Sequence, residues 1–193
     1  MQKKELRKIY LKKRLVKSNQ EIEKLSSEII HLFLNHFNTK NKKICSFLPI
    51  DSKNEINTFL FFDYIHQYNY EIYTTKWNIE SNELKIYPLN NKNEIKLNEY
   101  NIPEPLNDNE IIEINNIDYV IIPLLIFDKN GDRVGYGKGV YDLFLKKFNR
   151  NKTKFVGLCF FDPIEQIEDR YSEDIKLSYC ITPDKVYNFE KQY

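Results

Sequence analysis

The stretch IDYVIIPLLIFDKNGDRVGYGKGVYDLFLKKFN, residues 117–149, decides the fold. The whole chain holds 5 Gly, and Gly131, Gly135, Gly137 and Gly139 all fall inside this stretch. Glycine is spent where the backbone takes positive φ or passes close to a ligand, and it weakens regular structure elsewhere. Asp118 to Pro123 is a β-branched and aromatic run of the kind that forms a buried strand. Asp128-Lys129-Asn130-Gly131 is turn chemistry. Tyr141 to Lys147 is expected to be helical. A strand, a glycine loop and a helix start in succession aim unpaired backbone N–H groups at one point, where an anion is favoured. Arg133 and Lys138 add positive charge. The stretch therefore reads as a phosphate cradle in an α/β protein. It lacks the Gly-Lys-Ser/Thr ending of a Walker A loop, and its glycine spacing differs from the dinucleotide fingerprint.

Asp142 follows the loop in the first turn of the expected helix. A carboxylate there complements the helix dipole, so a simple helix-start role explains it. Beside a polyphosphate it would repel, unless a hard divalent cation bridged the two, as magnesium does through one or two carboxylates plus phosphates.

Outward from this stretch, 193 residues suffice for one α/β domain, expected over 1–193. A net charge of +1 gives no field for nucleic acid, and no apolar run reaches membrane-spanning length. Cys45, Cys159 and Cys180 sit singly in apolar runs. This odd, scattered set, without a signal-peptide pattern, predicts reduced core thiols and a cytoplasmic location.

Lys3 to Val16 reads as a helix on which Lys3 and Arg7, four apart, share a face. A solvated basic face is the ordinary meaning of such a pattern. Ser18-Asn19-Gln20-Glu21 is a capping box opening a second helix, and His31 and His36 on it are not spaced as a metal pair. Lys43 to Leu48 is the first expected strand. The loop after it carries Glu55, followed by a helix from about Thr58 to Gln67. Loops leaving early parallel strands supply ligand groups in α/β proteins, so Glu55 is a candidate; a helix-start carboxylate is the alternative. Strands are expected at Glu71 to Thr74, Leu84 to Leu89, Lys154 to Phe160 and Tyr179 to Thr182, with Lys185 to Phe189 at an edge. Asn90 to Asn116 reads as a long irregular segment, in which Tyr100 is placed to cover a flat ligand. Tyr171-Ser172-Glu173-Asp174 is an acidic loop with carboxylates within reach of a metal, or simply solvated.

Together these pieces resemble the 5-formyltetrahydrofolate cyclo-ligase (methenyltetrahydrofolate synthetase) family. The specific part is Phe127-Asp128 through Gly131, Arg133, Gly135, Gly137, Gly139 and Tyr141-Asp142. Support comes from Lys3…Leu6-Arg7, Asn54-Glu55-Ile56-Asn57-Thr58, Ile102-Pro103-Glu104-Pro105, and Asp174 ahead of Ile181-Thr182-Pro183. The resemblance implies a three-layer α/β/α sandwich with a mainly parallel sheet, like that of sugar-phosphate isomerases and CoA transferases. It implies a ligase of one-carbon metabolism that uses ATP and magnesium to convert 5-formyltetrahydrofolate, polyglutamylated forms included, to 5,10-methenyltetrahydrofolate. Lys3, Arg7 and the segment Arg133, Val134, Gly135, Tyr136, Gly137, Lys138, Gly139, Val140 and Tyr141 would bind ATP. Arg133, Lys138 and Tyr141 would serve catalysis, Asp142 and Asp174 would hold Mg2+, and Glu55, Ile50 and Tyr100 would bind the folate. Val140 stands where the family often has a second tyrosine, and Lys138 where bacterial members commonly have glycine. A monomer acting without nucleic acid or membrane is expected. Two other readings stay open. One is an isomerase-like or CoA-transferase-like enzyme built on Glu55, and the other is a nucleotide-binding regulatory module without turnover.

Overall fold

A computed structural model describes residues 1–78, 80–99, 101–106 and 114–190 of the chain. Its helices are α1 (Lys3–Leu15), α2 (Asn19–His36), α3 (Leu60–Asp63), α4 (Ile65–Tyr68) and α5 (Val140–Leu145). Its strands are β1 (Lys43–Ser46), β2 (Glu71–Asn78), β3 (Glu83–Pro88), β4 (Ile95–Leu97), β5 (Pro103–Pro105), β6 (Tyr119–Pro123), β7 (Ile126–Phe127), β8 (Arg133–Val134), β9 (Lys154–Leu158), β10 (Tyr179–Ile181) and β11 (Val186–Asn188).

The apolar runs assemble into a seven-stranded sheet in the order β11-β10-β9-β6-β1-β2-β3. The inner five are mutually parallel, while β3 and β11 close the edges antiparallel. Alternate residues of β6 serve the two faces. Val120 and Ile122 pack with Leu6 of α1 and with Phe144 and Leu145 of α5. Tyr119 and Ile121 pack with Ile29 and Phe33 of α2 and Phe61 of α3. Helices on both faces make an α/β/α sandwich, and burial on both sides is why β6 reads as a continuous apolar run. Among the described residues no helix is long and apolar enough to cross a membrane, and Cys45, Cys159 and Cys180 are buried and unpaired.

From β1 the chain moves to β2 on one side, and from β6 to β9 on the other, so the strand order reverses between β1 and β6. Loops leaving the C-terminal ends of strands at such a switch point part and open a crevice. The loop after β1 carries Glu55; the segment after β6 leads into the glycines.

Several elements depart from expectation for physical reasons. The helix expected over 58–67 is two short turns broken at Tyr64 (φ −113°, ψ −1°), in an aromatic-rich run with weak helix propensity. β2 extends to Asn78 because β3 supplies partners for Thr75 to Asn78 beyond the end of β1. The polar segment from Asn90 contains a hairpin of β4 and β5, with Pro103 and Pro105 on a two-stranded ribbon, where missing N–H donors are tolerated. Among the described residues the positive-φ positions other than glycine are Asn41, Asn54, Asn69, Asn82 and Asn101. Asparagine, which tolerates the left-handed region better than other side chains, takes turns that glycine fills elsewhere.

Candidate active site

On α1, Lys3, Arg7, Tyr10 and Arg14 recur at steps of four, three and four, which places them on one helical face. Buried Leu6 anchors this side to the sheet, and the helix lies against β7 and β8. Arg7 donates from Nε to the carbonyl oxygen of Gly135 at 2.9 Å. Its guanidinium fills the space beside Gly137, where an added Cβ would meet Cζ at 2.9 Å. The face predicted to be either solvated or phosphate-binding thus grips the glycine loop.

The loop glycines have separable reasons. Gly137 has φ +87° and Gly139, the residue capping α5, has φ +70°; both demand glycine by conformation. Gly135 has no positive φ, and a Cβ added to it would meet nothing within 4 Å. Neither backbone geometry nor packing within the chain calls for glycine at 135, and the open space there is room for a ligand to come close to the main chain. Val134 and Val140 are buried, so they can face a ligand only through main chain. Lys138 is exposed at the loop. Tyr141 is half-buried, with its ring edge-on to Phe144. Its phenol is pushed up by burial, which a hydrogen bond with the Thr75 side chain partly opposes.

Arg133 is turned inward, its side chain only 7% exposed. It donates to the Ile175 carbonyl and, at 2.7 Å, to Oδ1 of Asp142. The same Oδ1 accepts from the Ile175 N–H at 3.0 Å. Asp174, one residue before Ile175, accepts on Oδ2 from the Lys3 ammonium and from the Tyr171 N–H at 2.8 Å. The acidic loop therefore brings Asp142 and Asp174 to one corner, beside two cations predicted for the phosphates. Oδ2 of Asp142 and Oδ1 of Asp174 take no part in these bonds. Among the described residues no cluster of three or more His, Cys, Asp or Glu could enclose a metal. Two carboxylates with spare oxygens fit magnesium, which is usually held by few carboxylates and completed by phosphate oxygens and water.

Glu55 is 6% exposed. Asn54, at φ 50° after a single 3₁₀ turn, swings the chain back. Oε2 of Glu55 then accepts from the Ile50 N–H at 2.9 Å, and Oε1 accepts from the Tyr136 hydroxyl. Ile50 thus enters the site through its main chain. Arg14 donates to that same hydroxyl and, at 2.8 Å, to the Lys53 carbonyl. Burial raises the Glu55 pKa, against the pull of the Arg14 cation and the bonds from Tyr136 and Ile50. A crevice beside Glu55 and Arg14 is walled by Phe47, Leu124, Phe160 and Phe161, residues that follow β1, β6 and β9. Aromatic and aliphatic walls beside one carboxylate and one guanidinium are the kinds of group that hold a flat ring carrying N–H donors.

Sequence reasoning placed Tyr136 on the ATP loop but missed its bond to Glu55. It also missed Arg14 and the aromatic wall at Phe160 and Phe161. Arg14 did leave a signal: it lies seven residues after Arg7 and four after Tyr10, on the same face. Tyr100, expected to cover the ligand, lies outside the described residues.

Known proteins similar to this chain include two bacterial synthetases of solved structure and a bacterial cyclo-ligase. The 5-formyltetrahydrofolate cyclo-ligase of Escherichia coli (strain K12) is 31% identical over 99 residues, which is 51% of this chain and 54% of the relative, so the match spans about half that protein. The NMR structure of Aquifex aeolicus 5,10-methenyltetrahydrofolate synthetase superposes with TM-score 0.79 at 28% identity, covering 98% of this chain and 94% of that one. The 5,10-methenyltetrahydrofolate synthetase structure from Mycoplasma pneumoniae gives TM-score 0.72 at 26% identity, covering 98% and 100%. The model of the 5-formyltetrahydrofolate cyclo-ligase family matches residues 1–170, from the first turn of α1 through the glycine loop to the segment after β9. Because that match takes in well over half of the chain, and the fold is that of the two synthetase structures, the chain belongs to the 5-formyltetrahydrofolate cyclo-ligase family.

Proposed function

We propose that this protein converts 5-formyltetrahydrofolate to 5,10-methenyltetrahydrofolate at the expense of ATP, releasing ADP and phosphate. The observation that carries this reading is the bond from Tyr136, in the middle of the glycine loop, to Glu55 beside the aromatic crevice. A phosphoryl donor in the loop and a flat ring at Glu55 would be neighbours, as transfer between them requires. The γ-phosphoryl group moves to the formyl oxygen: a new O–P bond forms, the bond to the β-phosphate breaks, and ADP leaves. The neighbouring folate nitrogen then attacks the activated carbon, the five-membered ring closes, and the C–O bond breaks as phosphate departs with the proton that this nitrogen gives up.

Positioning and charge neutralisation carry such a reaction. Lys3, Arg7 and Lys138 supply cations around the loop, and the open space at Gly135 lets main chain approach the phosphates. Asp142 and Asp174 would hold magnesium, which when bound neutralises polyphosphate charge. Glu55 accepts hydrogen bonds from the pterin, while the crevice walls exclude water. The test is a spectrophotometric assay for the methenyl product from 5-formyltetrahydrofolate. Product is expected only with ATP and magnesium together. Nucleotide binding with no product would leave a regulatory module instead.

A further inference from the structure

In this structure Glu55 already has its partners. Tyr136 donates to Oε1, the Ile50 N–H holds Oε2, and only 6% of the residue is exposed. A ring bringing N–H donors to Glu55 competes directly with the Tyr136 hydroxyl. Tyr136 stands between Gly135 and Gly137, and a Cβ at 135 would meet nothing within 4 Å, so no packing on that side opposes a shift of Tyr136. What pins the loop from below is Arg7, through its bond to the Gly135 carbonyl at 2.9 Å. A phosphate is a stronger partner for a guanidinium than a neutral carbonyl is. A polyphosphate that draws Arg7 away therefore frees Gly135, the residue next to Tyr136.

Resting on the functional reading above, we propose that Tyr136 is a latch on Glu55 that nucleotide releases. While Arg7 holds the Gly135 carbonyl the loop covers the carboxylate, and a polyphosphate that draws Arg7 away withdraws the hydroxyl and opens Glu55 to the folate. Arg14 is the positioning residue of this device, since it donates to the same hydroxyl and is 4% exposed. It holds Tyr136 in the closed position and stays behind as a cation near Glu55 when the latch opens. The two ligands are then positively coupled, and by linkage each raises the affinity for the other by the same factor.

The test measures 5-formyltetrahydrofolate binding to the full chain by calorimetry, with and without a non-hydrolysable ATP analogue and magnesium. A hydrogen bond to a charged group changes affinity by about tenfold or more, so saturating analogue should tighten folate binding at least about tenfold in the wild type. Tyr136→Phe removes only the hydroxyl. It should bind folate about as tightly without the analogue as the wild type does with it, and the analogue should add little. Equal wild-type affinity with and without the analogue overturns the latch, and this measurement needs no variant. Weaker folate binding by Tyr136→Phe also overturns it, since the hydroxyl would then be a substrate contact. A wild type that binds no 5-formyltetrahydrofolate under either condition overturns the functional reading itself, and the latch with it.

Discussion

The guanidinium of Arg7 occupies the space that a side chain on Gly137 would need, with Cζ 2.9 Å from the position of a Cβ. A residue near the N-terminus and a loop glycine 130 positions later are thus fitted to each other, and the fit separates the roles of neighbouring glycines.

Gly137→Ala combines positive φ with displacement of Arg7. It should destabilise the protein by about 1 kcal/mol or more and weaken nucleotide binding. Gly135→Ala meets neither obstacle, so its melting temperature should stay near that of the wild type while nucleotide affinity falls. Thermal melts paired with nucleotide titrations read both. Unchanged nucleotide affinity in Gly135→Ala would remove the case for close ligand approach at that residue.

Lys3→Ala and Arg7→Ala should each raise the apparent constant for ATP markedly more than that for folate. Lys12, on the exposed side of the same helix, provides the comparison: Lys12→Ala should be silent, since exposed charges contribute little. ATP titrations of the three variants settle whether α1 belongs to the site. If all three behave alike, it does not.

Asp142→Asn keeps the shape and an acceptor oxygen for Arg133 and Ile175 but removes the charge. Turnover should drop by orders of magnitude, by the logic of a positioned metal charge. Partial recovery is expected at high magnesium, and the circular dichroism spectrum should be unaltered. Near-normal turnover at ordinary magnesium would show that the carboxylate serves only Arg133 and the helix start.

Arg14→Met should destabilise the protein, and by more at pH 8 than at pH 5. Burial raises the pKa of Glu55 and the Arg14 cation opposes that rise, so without Arg14 the pKa moves higher still. A carboxyl with a raised folded-state pKa contributes stability that is present at low pH and lost as pH rises through that pKa. Leaving a buried charge without its partner costs about 3 kcal/mol. Urea unfolding of wild type and variant at the two pH values reads the difference. An equal loss at both would mean that Arg14 acts through packing alone.

The glycine loop and the Glu55 position were legible in local chemistry, as a concentration of glycine and a loop after a strand, whereas helical spacing alone read the α1 face as solvated and only the family resemblance turned it toward the loop. What the sequence withheld depends on contacts between distant segments. Arg14 closes the run Lys12-Lys13-Arg14, and only the crevice formed with Phe47 and Leu124 explains its burial. The bond from Tyr136 to Glu55 joins residues 81 positions apart, which no local residue preference fixes. The same holds for the extra length of β2, which comes from its pairing with β3 rather than from its own composition.

Polar ties fasten most of α1: Lys3 to Asp174, Arg7 to Gly135, and Arg14 to Tyr136 and Lys53. Leu6 is its one fully buried apolar side chain. A unit secured this way opens at lower free energy than the sheet it covers. Mild urea should therefore peel the helix from the loop while the seven strands stay intact, and catalytic competence should vanish at a lower denaturant concentration than the bulk circular dichroism signal.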